Sequence, residues 1–129
     1  MVSVNRVILA GNLTKDPELK ETSNGRYMST FPVAVSRHWR NSEGESKKET
    51  GFFRIIVWNS TAENCVRYLK KGRAVLVEGR LETRVYKNNA GQTQFLTQVV
   101  GDQITFLNKP SEYQQPETAY EPADEPAIM

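Results

Sequence analysis

Residues 52 to 58 read Phe-Phe-Arg-Ile-Ile-Val-Trp, a run in which aromatic rings and a guanidinium recur at strand spacing. Successive side chains of a strand leave opposite faces, so Phe52, Arg54, Ile56 and Trp58 share one face and Phe53, Ile55 and Val57 the other. The second set carries no charge and suits an apolar interior. The first places Arg54 between Phe52 and Trp58, which argues against burial in that same interior. Flat rings interleaved with a cation make a platform on which planar heterocycles stack while the cation meets an anionic backbone. The pairing recurs at two other strand ends. Trp39 has Arg37 on its own face and Arg40 beside it, and Tyr86 has Arg84 on its face and Lys87 beside it. Trp39, Phe52, Trp58 and Tyr86 are therefore the candidate stacking residues. At roughly 1–3 kcal/mol per stacked base, with phosphate neutralisation added, four such contacts support binding of single-stranded nucleic acid without reading its sequence.

Other chemistry finds little support. The chain has one cysteine and one histidine, Cys65 and His38, too few for a zinc site and incompatible with a disulfide framework. It has no Gly-rich phosphate loop, no Cys-x-x-Cys and no His-Glu-x-x-His, and no second histidine to accompany a nucleophile. The expectation is a protein that is not an enzyme and takes no cofactor and no metal. No apolar run approaches the roughly 18 residues that span a membrane, and the start shows no signal peptide, so a cytoplasmic setting is expected.

The platform residues need strands to hold them. Val4 to Leu13 is rich in β-branched residues and is broken by Asp16-Pro17; Asn24-Gly25 marks a turn; Tyr27 to Trp39 is a second run, with Pro32 inside it demanding an edge or a bulge. Asn41 to Gly51 reads as a loop before the third strand. Ser60 and Glu63 stand at capping-box spacing ahead of a helix with Ala62, Cys65, Val66 and Leu69 on one face, and Gly72 suits its stop. Ala74 to Tyr86 is a fourth strand whose odd positions, Val75, Val77, Leu81 and Val85, are its apolar face. A hairpin loop leads to a fifth strand from Thr93 to Val100 and a short run from Gln103 to Leu107. Three strands, one helix and two strands is the order of an OB-fold, an all-β five-stranded Greek-key barrel with one α-helix between strands 3 and 4.

Charge divides the chain in two. Residues 1–109 hold 17 basic and 10 acidic residues, a balance of +7, whereas residues 110–129 hold five acids and no Lys or Arg. The first part reads as the folded nucleic-acid-binding domain. The second, with Pro110, Pro116, Pro122 and Pro126 among acids and glutamines, reads as a disordered C-terminal tail.

Taken in order, "VNRVILAGNLTKDPEL", "SRHWRN", "FFRIIVWNSTAENCVRYLKKG" and "VEGRLETRVYKN" resemble the successive blocks of the bacterial-type single-stranded DNA-binding proteins over roughly residues 3–107. The resemblance places that family's stacking aromatics on Trp39, Phe52, Trp58 and Tyr86; Phe52 and Tyr86 stand where tryptophan is common. It implies phosphate contacts along a wrapping path, for which Arg37, Arg54, Lys71, Arg73, Arg84 and Lys87 are the candidates. It also implies a homotetramer and roles in DNA replication, recombination and repair at the nucleoid. The family's acidic C-terminal motif, which docks replication and repair proteins, is represented only by a divergent "ADEPAIM", with Asp124, Glu125, Ile128 and Met129 as the candidate docking residues. Two other readings fit the residues alone: an OB-fold RNA-binding or primosome accessory protein, and an assembly subunit whose aromatic face is a protein interface.

Overall fold

The computed structural model describes residues 1–107. The tail residues Asp124, Glu125, Ile128 and Met129, and the boundary drawn at residue 109, lie outside them. Six strands and one helix follow the chain: β1 (Val7–Leu13), β2 (Glu18–Glu21), β3 (Tyr27–Arg40), β4 (Ser46–Trp58), α1 (Asn59–Tyr68), β5 (Ala74–Lys87) and β6 (Thr93–Phe106). The strands are ordered β1-β5-β6-β4-β3-β2, and a further β1–β3 pairing closes the ring. Five of them (β1, β3, β4, β5 and β6) form a closed barrel, with the helix between its third and fourth staves. β2 is a short addition on the edge of β3 that the residue pattern had not disclosed.

The interior is built from alternate residues of each stave. Leu13, Phe31, Val33, Ile55, Val57, Val75, Val77 and Val99 fill it, and Ala62, Cys65 and Leu69 of the helix and its end plug one mouth. Closure brings backbones too near for side chains at two places. A Cβ on Gly11 would run into the Ala34 carbonyl oxygen, and one on Gly79 into that of Val100, beside the bulge between β5 and β6. Pro32 is tolerated because β2 pairs with β3 only as far as Thr30 and β1 begins at Val33, leaving its missing donor in the gap.

Four local expectations are revised. The helix starts two residues early, at Asn59, its N-cap is Trp58, and no side chain caps it, so the Ser60–Glu63 box does not form. Gly72 adopts a left-handed φ of 93° in the turn that follows Leu69, rather than ending the helix itself. The loop before β4 shrinks to residues 41–45, because Ser46 to Thr50 continue the ladder with Ser36 to Arg40. The fifth strand and the final short run are one strand, β6, carried through Gly101 by the bulge.

Two hairpins outgrow the barrel. β5 pairs with β1 only as far as Gly79, and β4 pairs with β6 only at Ile55–Val99 and Ile56–Val100. Beyond those rungs the ends of β3–β4 and β5–β6 run on as two-stranded arms. The β4–β6 pairing is parallel and both arms lie N-terminal to it on those strands, so they leave the same end of the barrel. This explains why Leu81 and Val85, expected on the interior face, are exposed: their alternation is as read, but the opposite wall has ended. Among the described residues no helix is long and apolar enough to cross a membrane.

Candidate nucleic-acid interface

The strand registers decide which candidates share a surface. On β4, Phe52, Arg54, Ile56 and Trp58 point away from the interior, as the alternation requires. The β4–β6 and β5–β6 registers place Gln98 beside Arg54 and set Glu82, Arg84 and Tyr86 on the same side. Phe52, Trp58 and Tyr86 thus occupy one continuous outer face together with Arg54 and Arg84. Phe52 is 66% exposed and Tyr86 51%, while Trp58 is half-buried where it joins the helix.

Two residues of the opening motif differ from the simplest alternation. Ile56 lies on the outer face yet is only 2% exposed, sealed between Thr30 of β3 and Val100 of β6 and flanked by Arg54 and Trp58. Phe53, expected inside, is 39% exposed, because it stands opposite Val33 where the closing strand β1 stops. With Phe52, Pro32, Arg54 and Lys15, Phe53 lines an open groove of about 380 Å³ that extends the outer face toward the β1–β2 turn.

Trp39 is out of phase with the others. Phe52 pairs with Ala34, five residues before Trp39, so Trp39 leaves the opposite side of the β3–β4 hairpin. It sits on the free arm, 38% exposed, with the Arg37 guanidinium 4.2 Å above its ring. Arg37 also forms an exposed ion pair with Glu49 at 3.1 Å.

The cations divide in the same way. Arg84 and Lys87 stand next to Tyr86 with no carboxylate partner among the described residues. Lys71 and Arg73 lie at the other end of β5, in the turn after the helix. There the Lys71 amide donates to Asp16 Oδ1 at 2.7 Å, and Arg73 Nη1 donates to the Tyr68 carbonyl at the helix end. Arg73 thereby satisfies a terminal helix carbonyl and completes the helix stop.

Sequence reasoning missed Arg26. It ends the β2–β3 turn, pinned by hydrogen bonds to Thr22, and its guanidinium lies 4.3 Å from the Trp58 ring centroid. Its parity with Met28, the cross-strand partner of Trp58, was the available signal, but it needed the register. Cys65 is fully buried on the helix, and burial pushes its thiol up to about 12, consistent with a core role. No group of three or more metal-ligating side chains occurs among the described residues.

Known proteins share the fold and much of the sequence. Residues 4–107 match the Single-strand binding protein family. The chain is 47% identical over 104 residues to Single-stranded DNA-binding protein 2 of Staphylococcus aureus (strain Mu50), covering 81% of this chain and 72% of that protein. It is 46% identical over 104 residues to Single-stranded DNA-binding protein A of Bacillus subtilis (strain 168), covering 81% of this chain and 59% of that one. Among solved structures, "Plasmodium falciparum SSB complex with ssDNA" superposes with a TM-score of 0.76 at 30% identity, over 84% of this chain and 98% of that one. With its barrel, its aromatic outer face and these relatives in agreement, the chain belongs to the single-strand binding protein family.

Proposed function

We propose that this protein binds single-stranded DNA without sequence preference, by stacking bases on Phe52, Trp58, Tyr86 and Trp39 and drawing phosphates to the neighbouring cations. The observation that carries the reading is the common outer face of Phe52, Trp58 and Tyr86 with Arg54 and Arg84. Rings accept any base, and arginines accept any phosphate, so such a face favours an unpaired strand over a duplex whose bases are already stacked. Arg37, Lys87, Lys71 and Arg73 extend the cationic path, the last two by way of the turn that also anchors the helix.

In this reading the protein coats exposed strands in DNA replication, recombination and repair, in the cytoplasm at the nucleoid, and does so by binding without catalysis. It works as a homotetramer. Assembly is supported by the apolar side chains that a single chain leaves uncovered: Ile8 on β1 and Leu81, Val85 and Phe95 on the β5–β6 arm. Asp124, Glu125, Ile128 and Met129 of the acidic tail dock replication and repair proteins.

The test is a titration of tryptophan emission with oligo-dT at increasing salt, alongside duplex DNA and ribose oligomers of equal length. Quenching by the single strand, weakened by salt and absent with duplex, is expected. Equal affinity for duplex would remove the reading, and a preference for ribose would replace it with an RNA-binding one. Light scattering reports the tetramer.

A further inference from the structure

Gln98 is an unusual occupant of an outer face: an amide only 2% exposed, on β6, between two charged residues of the flanking strands. Its Oε1 accepts from Arg54 Nε at 3.0 Å, and its Nε2 donates to Glu82 Oε1 at 2.9 Å. The amide is thus used at both ends, oxygen toward the cation and nitrogen toward the anion. A flipped amide would set NH₂ against the guanidinium and oxygen against the carboxylate, so the neighbours fix its orientation. Among the described residues neither Nη atom of Arg54 has a hydrogen-bond partner, and no carboxylate forms an ion pair with it.

We propose that Gln98 is a positioning residue, a neutral spacer through which Glu82 holds the Arg54 guanidinium on the interface without cancelling its charge. The inference rests on the single-stranded DNA reading above and identifies how one of its cations is prepared. A carboxylate placed directly on Arg54 would take the planar fork in two parallel hydrogen bonds and leave little for a phosphate. A free arginine would have to lose the motion of its long side chain on binding. Gln98 avoids both. It engages Nε alone, leaves the two terminal nitrogens without a hydrogen-bond partner among the described residues, and is itself locked by Glu82 on the far side. Arg54 is then fixed on the outer face of β4 between Phe52 and Trp58, two residues from the first and four from the second, beside the line of a strand laid along those rings.

The experiment uses the whole chain with oligo-dT as probe and reads affinity across a range of salt, together with the melting temperature. Gln98→Glu puts a carboxylate in direct contact with Arg54. It should weaken binding at low salt about tenfold and reduce the slope of log K against log salt by about one, the loss of one phosphate contact. Arg54→Gln should lower the slope to the same degree. The double variant, Arg54→Gln with Gln98→Glu, should bind no more weakly than Arg54→Gln alone, because Gln98 acts through Arg54. Gln98→Met, of similar length but unable to hold the guanidinium, should weaken binding several-fold with the slope retained. Two results would overturn the proposal: a wild-type slope for Gln98→Glu, or an equal loss from that change with and without Arg54. A fall in melting temperature for Gln98→Met with unchanged affinity would reduce Gln98 to a packing residue. If the unaltered chain fails to bind oligo-dT, the broader reading fails; if it binds and the Gln98 variants follow suit, only the positioning role does.

Discussion

Phe52 and Tyr86 contribute little to the fold, and that makes them the cleanest probes of the interface. Both are more than half exposed, on the outer side of strands whose inner side packs the barrel. Phe52→Ala and Tyr86→Ala should each weaken oligo-dT binding by about 1–3 kcal/mol, the worth of one stacked base, while shifting the melting temperature by only a degree or two. Titration and calorimetry on the same samples check the pair of outcomes. Trp58→Ala should cost both, since Trp58 is half-buried at the start of the helix and carries Arg26 over its ring. Cys65 gives the opposite case, a residue whose titration belongs to the fold. Its thiol is pushed from an ordinary value near 9 to about 12, so between those limits the unfolded chain releases a proton that the folded chain retains. Its contribution is complete below pH 9 and is lost as the pH rises through that window. Cys65→Ala should therefore flatten the alkaline decline of stability, measured by urea unfolding at pH 8 and above. At this scale the sequence was readable wherever local alternation sufficed. Phe52, Arg54 and Trp58 were assigned to their common face by counting residues, whereas the burial of Ile56 depended on partner strands at Thr30 and Val100 and the opening at Phe53 on where β1 ends.

Among the elements, the staves and the helix were legible because their periods and breakers are local, and their ends were not. The helix began at Asn59 because Trp58, still extended at the end of β4, occupies the N-cap position two residues before Ser60. The β5–β6 arm was read as an ordinary strand end, since nothing in Leu81 or Val85 announces that the wall opposite has stopped, and the β4 half of the other arm was read as loop. Glycine is the exception, a single residue that reports on a distant strand. Gly79 lies under the Val100 carbonyl at the bulge, with backbone on both sides that cannot give way. Gly79→Ala should destabilise the barrel by about 2 kcal/mol or more, since the added methyl must displace a ladder rather than a side chain. Thermal melting measures this, and Gly91→Ala at the exposed hairpin tip, where a Cβ meets nothing within 4 Å though its φ is 80°, provides the milder comparison.

For the molecule as a whole, the registers impose a path. Trp39 lies about 17 Å along β3 from the residue paired with Phe52, and on the other side of the hairpin. A bound strand that touches Phe52 and Trp58 must turn round the edge of that arm before it reaches Trp39. Quenching of Trp39, isolated in a Trp58→Phe variant, should therefore be absent with the shortest oligo-dT that binds and appear as the oligomer is lengthened; simultaneous onset at every length would contradict the path. The same geometry bears on how the barrel is held shut. Its seam between β4 and β6 has two rungs, Ile55–Val99 and Ile56–Val100, and each of the long hairpins is a lever acting on them. A polymer laid from one lever to the other works as a clasp on one of the two short seams of the cylinder, so occupancy should slow amide hydrogen exchange at those four residues, none of which need touch the guest.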